Sequence, residues 1–152
     1  MSGAPILYVT IPGEPVAAAR PRVTKYGTHN PTRYRRWKAA AARRLAAAWG
    51  PHYPVSSAVA VSVEVVLPRP KSRPRTGQHA RFWHPTEDYP LPIGGKWGDI
   101  DNYAKSALDA LQAAGIIEDD CAVVELAVTK QAGTDVGLYI TLSLVHPEHI
   151  EE

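Results

Sequence analysis

Cysteine is nearly absent: the 152 residues contain one, Cys121. A lone thiol excludes an internal disulfide framework and a cysteine-built zinc site. It suits a reducing, cytoplasmic setting. Long apolar runs are also missing. No stretch approaches the roughly eighteen apolar residues of a membrane span, so no membrane partner is expected. The amino terminus lacks a basic segment followed by an apolar one, so no secretory signal is read there. A glycine-rich phosphate loop is absent too, and no nucleotide cofactor is implied. Disorder is excluded by a 45% hydrophobic content with only 21% charged residues. The length favours one domain spanning 1–152.

Charge is scarce in one sign on each side of the chain. Residues 1–75 carry thirteen Lys/Arg and two acids, Glu14 and Glu64, whereas residues 76–152 carry four Lys/Arg and thirteen acids, for a net of +2. The basic half suits a polyanion. Carboxylates beside a polyanion make sense with a divalent cation between them. Attraction between the two halves, or to a second subunit, is the plainer alternative.

Element signals follow in order. Ile6–Ile11 reads as a strand closed by Pro12-Gly13. Residues 12–30 read as a basic Gly/Pro-rich loop. Asn30-Pro31 predicts an N-cap with proline at the first helical position. The helix then runs to Trp49, with Tyr34, Trp37, Ala41, Leu45 and Ala48 on one face. Val59, Val61, Val63 and Val65 alternate in a second strand, over 58–67. Residues 68–98 form a long, basic, proline-rich loop. Ile100, Ala104, Ala107, Leu108 and Leu111 mark a helix over 101–114, with Gly115 just past its end. Strands are predicted at 122–130 and 136–145. The order β–α–β–α–β–β predicts an α/β (α+β) fold, a small mixed sheet with two main helices packed on it.

The densest chemistry lies at Asp99-Ile-Asp101-Asn102 and Asp119-Asp120. Acids two apart in extended backbone point to one side. A helix N-terminus behind them helps hold two anions together. Lys105, four residues after Asp101, shares its helical face. Three carboxylates and a lysine match the needs of metal-assisted phosphodiester hydrolysis. Magnesium is the natural ion, since it takes oxygen ligands and keeps waters. Each part also has an ordinary structural reading: an N-cap, an i,i+4 ion pair, and a turn. A calcium-sensor role finds little support, because the loop lacks the glycine and later glutamate of an EF-hand.

The string Asp99-Ile-Asp101-Asn102, Lys105, Leu108-Asp109-Ala110-Leu111, Asp119-Asp120, Val123-Val124 and Lys130 resembles the RusA family of Holliday-junction resolvases, small endonucleases of phages, prophages and bacteria. Arg20-Pro21-Arg22 with Gly27, Pro31, Tyr34 and Trp37 adds a weaker likeness. The resemblance implies a homodimer that resolves four-way DNA junctions by paired, Mg²⁺-dependent cuts in recombination and repair, with Mn²⁺ able to substitute. It implies that Asp99, Asp101 and Asp120 form the acidic, metal-holding cluster and that Lys105 is the catalytic lysine. Asn102, Asp119 and Lys130 rank second, and Asp109 supports the helix. The chain departs from the pattern at Trp97-Gly98, where many members place a basic residue directly before the first aspartate.

Arg20, Arg22, Lys25, Arg35, Arg36, Lys71, Arg73 and Arg75 are candidate phosphate contacts, which give affinity rather than base specificity. A solvated helix face and a loose loop are the alternatives. Tyr26 and Trp83 are candidates for base stacking or for rim packing. Cys121 reads as a small buried residue at a strand start, and His146 and His149 as a surface tail. Two rival functions remain: a nuclease for flaps, forks or other branched intermediates, and a non-catalytic junction-binding protein.

Overall fold

Alternation in the sequence becomes a four-stranded sheet. The computed structural model describes residues 3–18, 22–29, 31–70 and 91–145. Its elements are β1 (Pro5–Pro12), β2 (Arg22–Thr24), β3 (Gly27–His29), α1 (Thr32–Trp49), β4 (Val59–Pro68), α2 (Ile100–Ala113), β5 (Val123–Gly133) and β6 (Gly137–Leu144). The sheet order is β1-β6-β4-β5. β6 pairs antiparallel with both β1 and β4, and β5 runs parallel to β4. A parallel pair needs a crossover, and α2 supplies it. This is the mixed sheet with two helices that the pattern predicts.

One row of the sheet faces the helices. Val59, Val61, Val63, Val65 and Leu67 of β4 join Leu138, Ile140 and Leu142 of β6 and Leu7, Val9 and Ile11 of β1. Ala41 and Leu45 of α1 and Ala107, Ala110 and Leu111 of α2 complete this core. Each fully buried valine or leucine contributes about 1.5–3 kcal/mol. The alternate row, including Tyr8, Ser62 and Glu64, is solvated. Among the described residues no helix is long and apolar enough to cross a membrane.

α2 ends in a Schellman closure. Gly115 takes φ +76°, its N–H reaches the Gln112 carbonyl at 3.1 Å, and the Ile116 N–H reaches Leu111 at 3.1 Å. Ile116 and Ile117 then plunge into the core. The return to β5 is therefore short and fixed.

Three sequence expectations need correction. The 12–30 loop contains a hairpin, β2 paired with β3; strands of three residues are too short to show a period. Pro31 occupies the N-cap itself, with φ −56° and ψ 144°, and the helix starts at Thr32. Cys121 is exposed, because a single 3-10 turn at Asp120–Ala122 precedes β5. Of the long loop, Pro68 closes β4 and Gly95–Trp97 form another 3-10 turn; residues 71–90 lie outside the described residues, and so do Asn30, His146 and His149.

Candidate active site

Asp99 stands at the N-cap of α2 in extended conformation, φ −91° and ψ 141°, yet its side chain makes no capping hydrogen bond. Its backbone carbonyl accepts from Asn102 N at 3.1 Å and Tyr103 N at 3.2 Å. The backbone thus starts the helix, and the carboxylate is left for other work. An aspartate at this position ordinarily spends its side chain on the first free N–H groups. Asp101 follows in the first turn, and both acids are exposed. They line one depression together with Gly98, Ile100 and Lys130.

A second depression, of about 580 Å³, runs along α2 against β5. Asp101, Lys105 and Asp109 succeed one another on its helical wall, Leu126 and Val128 form its sheet wall, and Asp120 joins them from the turn before β5. Asp101 therefore belongs to both depressions. No ion pair joins Asp101 to Lys105 among the described residues. The ordinary helix ion pair is thus absent, and the ammonium stands exposed in the groove.

Asp119 and Asp120 differ in employment. The Asp119 carboxylate accepts from Cys121 N at 3.1 Å and caps the short turn. That N–H, and then the contact with Asp120, hold Asp119 below the ordinary carboxylate value. Asp120 is pushed up, first by its hydrogen bond with Asp119, then by desolvation and the nearby charges of Asp119 and Asp109; Lys105 opposes the rise. Carboxylates so placed titrate as a pair rather than independently. Asp120 is the member that reaches the groove.

The donor chemistry fits a hard divalent cation, since all candidates are carboxylate oxygens. Convergence is partial. Among the described residues no three His, Cys, Asp or Glu side chains are grouped to hold a metal ion. Asp99 pairs with Asp101 in one depression, and Asp101 with Asp120 in the other.

The basic candidates spread over two elements. Arg35 and Arg36 are exposed on α1. Lys25 lies at the β2–β3 turn, its ammonium 5.1 Å from the Tyr26 ring centroid, and Tyr26 is 88% exposed. Arg22 sits on β2. Arg20, Lys71, Arg73, Arg75 and Trp83 lie outside the described residues.

Sequence reasoning names Asp109 and Lys130 among the supports of this site but misses their partners, and misses Ser106 and Tyr103 altogether. The Tyr34 hydroxyl donates to Asp109, and Ser106 Oγ donates to the Val16 carbonyl at 2.6 Å. The Tyr103 hydroxyl donates to the Trp97 carbonyl at 2.7 Å, and Lys130 Nζ donates to the Gly98 carbonyl at 2.8 Å. For Ser106 and Tyr103 the sequence signal is a hydroxyl inside an apolar helical stripe, since a buried hydroxyl needs a partner.

Among curated proteins none matches the chain. A family model does. Described as endodeoxyribonuclease RusA, it matches residues 12–143, which run from the end of β1 through nearly all of β6 and enclose both depressions. With most of its length so matched, the chain belongs to the RusA endodeoxyribonuclease family.

Proposed function

We propose that this nuclease is Mg²⁺-dependent and structure-selective, and that it resolves four-way DNA junctions as a homodimer. The observation that carries the reading is Asp99, a helix-capping aspartate that makes no cap and shares a depression with Asp101. Asp99, Asp101 and Asp120 would hold the cation, with Mn²⁺ able to replace Mg²⁺. When bound, the cation polarises the phosphoryl oxygen and activates water. Lys105, exposed on the groove wall, neutralises charge that develops on the scissile phosphate. Arg35 and Arg36 on α1 and Lys25 on the hairpin hold the DNA backbone without reading bases.

One feature supports the dimer. The groove has apolar rims, with Ile100 and Leu126 exposed to 44 and 46%. A second copy would cover those rims. A four-way junction has two-fold symmetry, which matches a two-fold dimer cutting at two places.

The test is an end-labelled four-way junction incubated with protein and Mg²⁺, beside three-way, flap and linear DNA of the same sequences. Asp101→Asn and Lys105→Ala should each slow cutting by about 10²–10³-fold, with junction binding retained in Ca²⁺. Equal cutting by Asp101→Asn would remove the metal assignment. Faster cutting of flaps or linear DNA would remove the junction assignment, and binding with no products in either Mg²⁺ or Mn²⁺ would leave a DNA-binding protein.

A further inference from the structure

The turn that delivers Asp99 is held by two side chains from elsewhere in the fold. Tyr103, buried in the first turns of α2, reaches back to the Trp97 carbonyl at 2.7 Å. Lys130, in the middle of β5, reaches across 32 residues of sequence to the Gly98 carbonyl at 2.8 Å. These carbonyls belong to the two residues that immediately precede Asp99. Gly98 takes φ +78°, and a Cβ there would stand 2.9 Å from the Tyr103 ring and hydroxyl. Glycine is thus required twice, by the backbone turn and by the tyrosine packed on it. Trp97 anchors the other side of the turn in the core.

Lys130 needs its own explanation. It pairs with Val65 in the sheet register, and its neighbours at 128 and 132 on β5 pair with core residues Val63 and Leu67. An ammonium on that row is costly unless its donors are used. One donor is used on Gly98, and the side chain lines the same depression as Asp99 and Asp101.

We propose that Lys130 and Tyr103 are positioning residues: by gripping the Gly98 and Trp97 carbonyls they fix the backbone of Asp99 and hold its carboxylate beside that of Asp101. This rests on the reading of Asp99 and Asp101 as cation ligands. On this reading both act through the backbone that precedes Asp99 rather than on the phosphate. Their loss therefore weakens the cation site and leaves DNA binding alone. Outer residues that orient ligands typically change metal affinity by about 10–100-fold.

The experiment measures Mn²⁺ binding to the whole protein by electron paramagnetic resonance, without DNA, for the parent, Lys130→Met, Lys130→Arg and Tyr103→Phe. Lys130→Met and Tyr103→Phe should each weaken Mn²⁺ binding by about 10-fold or more. Lys130→Arg, which keeps a donor, should recover much of the loss. The Asp99 amide resonance should move in both weakened variants, junction affinity in Ca²⁺ should stay at the parent value, and saturating metal should restore most of the cutting rate. Parent-like Mn²⁺ affinity in Lys130→Met overturns the clamp, and so does weakened junction binding with unchanged Mn²⁺ affinity. If Lys130→Met does not fold, Tyr103→Phe, which removes one oxygen, decides the matter by the same two readouts. A parent that binds no Mn²⁺ and cuts no DNA instead overturns the metal-nuclease reading beneath the proposal.

Discussion

The Tyr34 hydroxyl on α1 donates to the Asp109 carboxylate on α2, tying the arginine-rich helix to the helix that lines the acidic groove. The phenol is 2% exposed. Burial first, and then Asp109, push its pKa above the ordinary tyrosine value. The bond thus joins the helix that carries the basic face to the helix that carries the candidate chemistry.

Tyr34→Phe should destabilise the protein by about 1–3 kcal/mol, because the acceptor is ionised and loses its donor. The pH dependence has a definite sign. The unfolded tyrosine ionises near the ordinary value of 10.0, whereas the folded one resists. The contribution is complete below about pH 10 and declines as pH rises toward the folded value. Urea unfolding at neutral pH and above pH 10 should show a steeper alkaline decline for the parent than for Tyr34→Phe.

Arg35→Ala with Arg36→Ala should weaken binding to every branched DNA alike. The slope of log affinity against log salt should fall by about 2, one for each phosphate no longer neutralised. Both arginines are exposed, so thermal stability should hardly change. A salt titration of junction binding by fluorescence anisotropy reads the slope, and an unchanged slope would remove α1 from the DNA-binding face.

Mixing two variants tests whether two copies share one site. Asp101→Asn and Asp120→Asn homodimers should both be inactive. If each centre draws Asp101 from one copy and Asp120 from the other, the mixed dimer keeps one intact centre and nicks a single strand. If each centre is built within one chain, the mixture stays inactive. Gel separation of nicked from paired-cut junctions distinguishes the two outcomes.

The Asp119–Asp120 pair should titrate in two separated steps in metal-free protein. Asp120 keeps its proton to higher pH than a free carboxylate, and Asp119 gives its proton up at lower pH. Asp119→Asn removes the neighbouring charge that raises Asp120, so the Asp120 titration should move to lower pH. Carboxyl carbon NMR follows the shift directly, and an unmoved Asp120 would show that the pair is uncoupled in solution.

The sequence shows the acids better than it shows their supports. Asp99 and Asp101 stand out by spacing alone, and Gly115 marks the helix end because only a left-handed closure needs it there. Strand β6 was legible as a strand, but its place between β1 and β4 was not, since long-range pairing leaves no local pattern. The Lys130–Gly98 bond was hidden for a similar reason. The resemblance ranks Lys130 as a secondary site residue, and only the fold shows that β5 carries it to the turn before α2. Asp120 was legible as an acid near a turn, while its division of labour with Asp119 needed the cap to be seen.

The parallel pairing of β4 and β5 obliges the intervening chain to traverse the sheet before it can rejoin it. α2 makes that traverse with fourteen residues, about 21 Å at 1.5 Å per residue. The crossover helix is thereby a built-in gauge. Its length sets how far Asp101, in the first turn, stands from the helix end that hands the chain on to Asp120, and one extra helical turn would lengthen that span by about 5 Å. Insertions that flexible surface segments absorb freely would, inside α2, change the spacing between the first turn and the acids that follow the helix.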